Sequence, residues 1–219
     1  MNPFADHDLL PWVEYAALWA AFGLGHSFMA GAGFKVRWVA WLGRWGGAER
    51  LIYNAIALLW VLALLTWGRI NLPRIPLWQP HGAVLWGLAL VQGAAVLMLL
   101  LALRGYDLGR FAGWRQWRAA RSGQPLAPEP LVLTALHGWT RHPLYTGTLL
   151  LLWARPLDTL VLATNLCATG YLLVGSQWEE RRLLAQYGAV YAAYRDRVPA
   201  LCPRPWRRLN AAGLQALRG

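Results

Sequence analysis

Residues 82–103 read GAVLWGLALVQGAAVLMLLLAL, an apolar stretch with no Asp, Glu, Lys or Arg. At ~1.5 Å of rise per residue, a helix over this stretch crosses a hydrocarbon core ~30 Å thick. It decides the fold class because the chain repeats the pattern on either side, with apolar runs at 12–32, 51–67, 143–153 and 159–174. Ala154-Arg155-Pro156-Leu157-Asp158 interrupts the last pair, which therefore reads as a helical hairpin whose first arm reaches only ~16 Å. The expectation is an all-α integral membrane protein of about five transmembrane helices, followed by a cytoplasmic amphipathic helix over about 177–195.

Composition agrees. Of the 219 residues, 57% are hydrophobic and 14% charged, with 15 Trp, a mixture too apolar for an ordinary soluble domain of this length. Spans of ~20 residues each leave no room for a separate soluble catalytic domain, so any chemistry belongs to a single membrane-embedded domain over 1–219. Asp6, Asp8 and Glu14 give the N-terminus the wrong sign for a cleavable signal, so the first apolar run is expected to be retained. Cys167 and Cys202 are too few and too far apart for a disulfide framework or a metal knuckle, and no metal site is expected.

The 21 Lys and Arg against 10 Asp and Glu give a formal net charge of +11. Hydrocarbon excludes charge, so this excess must sit in loops and tails. Lys35, Arg37, Arg44 and Arg50 follow the first run; Arg104, Arg110, Arg115, Arg118, Arg121 and Arg141 follow the third. Arg181, Arg182, Arg195, Arg197, Arg204, Arg207, Arg208 and Arg218 fall in the C-terminal tail, and only Arg69, Arg74 and Arg155 occupy the alternate connections. The positive-inside rule then places the N-terminus outside and the C-terminus inside. Orientation and anionic lipid head groups account for the basic excess, which removes the argument for nucleic-acid binding.

Polar groups inside a membrane are costly, so those that persist point to function. Four sets stand out, all on the cytoplasmic side of this topology. The first is Gly25-His26-Ser27, readable as a snorkelling or interhelical histidine or as part of a site. The second is Tyr53-Asn54, an interfacial anchor with an interhelical hydrogen bond, or again part of a site. The third is Thr140-Arg141-His142-Pro143-Leu144-Tyr145-Thr146-Gly147, where Pro143 suits the first position of a helix. A helix start presents unpaired N–H groups and a positive dipole end, and with Arg141 and His142 beside it the place is anion-receptive. The fourth runs from Gln177 to Pro199: Glu179 and Glu180 precede an apolar-aromatic face of Leu183, Leu184, Tyr187, Val190, Tyr191 and Tyr194. Two acids at the exit of a span would repel anionic head groups, which speaks against a purely surface-seeking helix.

Arg141-His142-Pro143-Leu144-Tyr145-Thr146-Gly147, then Glu179-Glu180-Arg181-Arg182-Leu183-Leu184, then Tyr187-Gly188, Tyr191, Tyr194 and Arg197-Val198-Pro199 resemble, in order, the C-terminal signature of the isoprenylcysteine carboxyl methyltransferase superfamily. Those are membrane-embedded enzymes that use S-adenosyl-L-methionine. His26-Ser27-Phe28-Met29-Ala30, Gly33-Phe34-Lys35, Ala48-Glu49-Arg50-Leu51-Ile52-Tyr53, Tyr106-Asp107-Leu108 and Gly113-Trp114-Arg115-Gln116 are similar to the methanethiol S-methyltransferase branch, which makes dimethyl sulfide. The likeness covers roughly residues 25–203. The first half also resembles the nitrite and nitric-oxide reductase accessory protein family, whose carotenoid-isomerase relatives are haem-associated; that alternative, a haem-associated accessory protein or isomerase, would make His26 and His142 haem ligands. A third reading is methylation of an isoprenylcysteine or phospholipid acceptor.

The methyltransferase resemblance implies roles residue by residue. His142, Tyr145 and Gly147 should lie against the cofactor, with the helix start at Pro143 receiving its carboxylate. Glu179 or Glu180 would accept from ribose hydroxyls or the amino group. Tyr187 and Tyr191 could offer aromatic faces to the sulfonium or adenine. A thiol acceptor must become thiolate, which a cationic environment favours; Arg197, Arg141 or His26 could supply it, with His26 as a possible general base. The implied partners are a small-molecule or lipid methyl acceptor and the membrane lipids, and the implied location is a bacterial inner membrane with the site facing the cytoplasm.

Overall fold

The computed structural model describes residues 8–127, 130–204 and 206–216; Asp6 and Arg218 lie outside the described residues. The chain is mostly helical. In order it forms α1 (Leu10–Ala30), α2 (Ala32–Leu42), a 3₁₀ turn (Gly43–Ala48), α3 (Glu49–Asn71), β1 (Pro76–Trp78), α4 (Gly82–Leu103), α5 (Leu108–Ala112) and α6 (Trp114–Ser122). A second 3₁₀ turn (Ala135–Gly138), α7 (Pro143–Trp153), β2 (Leu157–Asp158), α8 (Thr159–Arg197) and α9 (Ala211–Ala216) follow. Among the described residues, three segments are long and apolar enough to cross a membrane: Ala32–Asn71, Gly82–Leu103 and Thr159–Arg197, with Pro143–Trp153 a shorter apolar helix. Helix α1 has a span's length, 21 residues, but carries Glu14 and His26. Helix α4 leaves Val84, Leu85, Trp86, Leu90 and Leu97 exposed, apolar surface that lipid rather than water would cover.

Two segments differ from the sequence expectation. Residues 32–50, read as a loop, fold into α2 and the 43–48 turn; Phe34 packs on Phe28 and Trp38 (centroids 4.9 and 5.4 Å), and Gly43 ends the helix at φ 53°. The expected span over 159–174 runs without interruption into the expected helix over 177–195 as far as Gly188, where a kink separates two helical stretches of α8. Its only non-helical residue is Gly188, at φ 55° and ψ −128°.

The chain divides into two compact units. The first comprises Met1–Pro76, Leu108–Ala127 and Asp158–Cys167. Tyr15, Trp19, Phe22 and His26 recur at helical spacing along α1, and Tyr15, Phe22 and His26 meet α3. Tyr15 stacks on Trp67 (6.1 Å), Phe22 meets Trp60 edge-on (5.9 Å) and the His26 ring lies 4.9 Å from Tyr53. Gly68 admits Tyr15, whose ring would lie 2.7 Å from a Cβ there. Beyond the C-terminal end of α3, Arg74 pairs with Asp158 at 2.9 Å, and Asp158 caps α8 by accepting the Val161 N–H at 2.7 Å. Beyond its N-terminal end, α2 and α6 both pack on the 43–48 turn.

The second unit comprises Leu77–Asp107, Pro128–Leu157 and Ala168–Gly219. Its main helix pair is α4 on α7, brought close by Gly147, where a Cβ would sit 2.9 Å from Leu99 and 3.4 Å from the Ala95 carbonyl. Small residues at such seams let membrane helices approach. Gly147→Ala should therefore cost about 1–3 kcal/mol through overpacking, seen as a lower thermal midpoint in detergent. Leu99→Ala in the same chain should recover part of the loss.

Candidate active site

Helix α7 begins where the sequence indicates: Pro143 occupies its first turn and His142, at φ −123° and ψ 69°, is the non-helical residue before it. The Arg141-His142 turn is held by the chain that follows α8. The Arg141 N–H donates to the Pro199 carbonyl at 2.9 Å and the His142 N–H to Ala200 at 3.1 Å. Thr140 Oγ1 donates to the Ala200 carbonyl at 2.6 Å and Thr146 Oγ1 to Leu201 at 2.7 Å. Below this clasp, Tyr191, Tyr194, Val198, Leu133 and Leu214 form a buried apolar cluster, and the Tyr194 hydroxyl donates to the His137 carbonyl at 2.7 Å.

A charged network sits on the clasp. Arg141 Nε and Nη2 approach Glu180 Oε1 at 2.8 and 2.7 Å, while Nη1 donates to the carbonyls of Arg195 (2.8 Å) and Val198. His142 lies between two carboxylates, Nε2 3.1 Å from Glu180 Oε1 and Nδ1 3.5 Å from Glu179 Oε2. Its ring stacks on Tyr145 at 5.3 Å, and Tyr145 hydrogen-bonds Glu179. The charged side chains are largely withdrawn from solvent: Arg141 is 12%, His142 4% and Glu180 16% exposed. Such a network persists only when nearly every donor has a partner.

The bonds from Arg141 and His142 to Glu180 all fall on Oε1. The Tyr191 hydroxyl is buried without a partner although Glu180 and Arg141 are near enough to act on it electrostatically. A buried hydroxyl left unpaired costs about 1–3 kcal/mol, so its position calls for a ligand or solvent group.

Five of the sequence-selected residues, Arg141, His142, Tyr145, Glu179 and Glu180, thus join in one network, with Tyr191 beside it. Pro143 is buried at the helix start, and Gly147 faces α4 as a packing residue. The Tyr191 ring is only 1% exposed, so its hydroxyl, not its face, is the group directed at the network. The Tyr187 ring packs against the same apolar cluster and its hydroxyl accepts from Gln186 Nε2 at 3.0 Å. Arg197 is exposed in the last turn of α8. His26 belongs to the first unit, where Nε2 lies 2.5 Å from the Tyr53 hydroxyl. Asn54 there donates to the carbonyls of Phe111 (3.2 Å) and Ala112 (3.0 Å), the interhelical role open to it from the sequence. Both nitrogens of His142 face carboxylates, so neither is presented to a haem iron.

Sequence reasoning placed Thr140 in the 140–147 set but gave it no role, since its carbonyl partner on Ala200 lies sixty positions away, and it did not see the conformational demand at Gly188. Arg141 reaches both Glu180 and the Arg195 carbonyl, groups that a straight helix would hold ~22 Å apart. The break at Gly188 is what folds the end of α8 back to meet the same guanidinium.

Fold and site together define a mostly helical protein with segments long and apolar enough to cross a membrane and a carboxylate–histidine–arginine cluster at the start of a short apolar helix. The methanethiol S-methyltransferase 2 of Bradyrhizobium diazoefficiens is 35% identical over 192 residues, covering 87% of this chain and 73% of that protein. The methanethiol S-methyltransferase of Mycobacterium tuberculosis is 36% identical over 197 residues, 87% of this chain and 77% of its own. A third, from Crocosphaera subtropica, is 30% identical over 195 residues, 83% and 71% of the two chains. The chain belongs to the methanethiol S-methyltransferase family. No family model and no solved structure matches it.

Proposed function

We propose that this chain is an integral membrane methyltransferase that moves a methyl group from S-adenosyl-L-methionine to methanethiol, giving dimethyl sulfide. Family membership supports the reaction, and the unpartnered buried Tyr191 hydroxyl, within electrostatic reach of Glu180 and Arg141, is the observation that supports the site assignment. The residues fit the donor: Glu179 and Glu180 suit its ammonium and ribose hydroxyls, and the start of α7 suits its carboxylate. When bound, S-adenosyl-L-methionine supplies an electrophilic methyl on a sulfonium that leaves as a neutral thioether.

The protein's own residues orient and exclude water more than they react. Arg141 neutralises Glu180 and ties it to the clasp, so its role is positioning; Glu180 accepts from the ligand and the Tyr191 hydroxyl completes the ligand's bonding there. His142 and Tyr145 hold Glu179. The thiol must lose its proton to become the nucleophile. His26, paired with Tyr53, is the proposed base, and Arg197 the proposed cation favouring thiolate. His26→Ala is expected to lower kcat with cofactor affinity unchanged.

About five spans, N-terminus outside, in a bacterial inner membrane with the site on the cytoplasmic side complete the proposal. Two features support this alternation. The 43–48 turn packs with α6 at one end of α3, and residues 73–75 meet Asp158 and Thr159 at the other.

Calorimetry with S-adenosylhomocysteine tests the assignment. Wild-type protein in detergent should bind it, and absence of binding overturns the proposal. Tyr191→Phe removes an unpaired buried hydroxyl, so the ligand-free protein should be as stable as wild type or up to ~1 kcal/mol more so, while affinity falls about fivefold or more. Unchanged affinity would remove Tyr191 from the site.

A further inference from the structure

Helix α2, the 43–48 turn and α6 pack together in the first unit and carry a concentration of positive charge that the reaction does not use. Across residues 32–50 and 108–127 the only acid is Glu49, which is buried and pairs with Lys35 at 3.3 Å. Arg50 donates to the Phe111 carbonyl (3.2 Å) and Arg110 to that of Ala127 (2.7 Å). Arg37, Arg44, Arg118 and Arg121 add further exposed positive charge.

Their setting is aromatic. Gln116, Trp117 and Ala120 turn α6 onto Gly47, which directs Arg118 away from the protein. Trp41 is 80%, Trp45 52% and Trp114 48% exposed. Arg44 lies 5.6 Å over the Trp45 ring and Arg121 5.1 Å over Trp117. Exposed indoles seek the carbonyl level of a bilayer, and arginines beside them reach the phosphate layer just outside it. A zwitterionic head group brings its own counter-charge; an acid-free surface of arginines selects a net negative one.

We propose that this surface binds anionic phospholipid head groups of the bilayer in which the protein sits. The inference rests on the membrane reading above and adds the place on the protein where anionic lipid is selected and the residues that select it. Each arginine near a charged membrane surface contributes about fivefold in dilute salt, and less as salt screens it.

The test places the full chain in nanodiscs of phosphatidylcholine containing a minor share of phosphatidylglycerol. Lipids that stay with the protein on transfer to mild detergent are then quantified by mass spectrometry. Wild-type protein should retain phosphatidylglycerol severalfold above its share of the disc. Arg37→Gln/Arg44→Gln/Arg118→Gln should return the ratio to that of the disc, whereas Arg69→Gln/Arg155→Gln, which removes exposed charge elsewhere, should leave the enrichment intact. High salt should erase it in the wild type, a measurement independent of how well the triple variant folds. A wild-type ratio equal to the disc's, or enrichment that survives both salt and the triple substitution, overturns the proposal. Failure of the protein to enter the disc overturns the membrane reading instead.

Discussion

Gly188→Ala is expected to weaken S-adenosylhomocysteine binding by an order of magnitude or more while the protein remains inserted in the membrane. Gly188 holds φ 55° and ψ −128°, a conformation that glycine adopts freely and alanine does not. A Cβ there would meet nothing within 4 Å, so the effect is one of backbone alone. Strain of about 1–3 kcal/mol favours a straightened helix, which carries Tyr191, Tyr194 and the Arg195 carbonyl away from Arg141 and opens the clasp. Affinity should fall at least about tenfold, since ~1.4 kcal/mol is one decade. Gly170 supplies the control: it lies in the same helix with nothing within 4 Å, and Gly170→Ala should be neutral or stabilise by about 0.5–1 kcal/mol. Equal binding by the Gly188→Ala and wild-type proteins would show that the break does not build the site.

The second large effect is at the Arg141–Glu180 pair. Arg141→Ala leaves Glu180 with one donor and removes a donor from two carbonyls, so it should destabilise by about 3–5 kcal/mol, as loss of one partner of a buried pair does. Arg141→Lys should recover little, because an ammonium cannot match the guanidinium's fork, which here bridges a carboxylate and two carbonyls. Glu180→Gln keeps the shape but strands the arginine charge, and cofactor affinity should be lost with it. A double-mutant cycle read by thermal unfolding separates this pair from its surroundings: single losses that add simply would mean the two side chains do not act together.

The sequence makes α4 and α7 legible because each apolar run is bounded by strong punctuation: Gly82 and Arg104 for one, Pro143 and Arg155-Pro156 for the other. Residues 32–48 are harder, since interleaved Trp, Arg and Lys carry no clear hydropathy or period although they fold as helix and turn. Proximity of the Arg141-His142 turn to Glu179 and Glu180 follows from both lying beside the same ends of apolar runs. What joins them is not visible in any local pattern: Thr140 and Thr146 bond carbonyls, which have no residue identity, and Gly188 sits inside a helical period where a glycine is more often merely tolerated. The period of Tyr187, Tyr191 and Tyr194 shows that they share a face but not what the face meets, so rings read as ligand surfaces could equally pack as core.

The most direct test gives purified protein in nanodiscs methanethiol and S-adenosyl-L-methionine labelled in its methyl group, and samples the headspace. Labelled dimethyl sulfide should accumulate with wild-type protein and fall to background with Glu180→Gln. Binding of the cofactor without labelled dimethyl sulfide would contradict methanethiol as the acceptor, and undiminished product from Glu180→Gln would contradict the site.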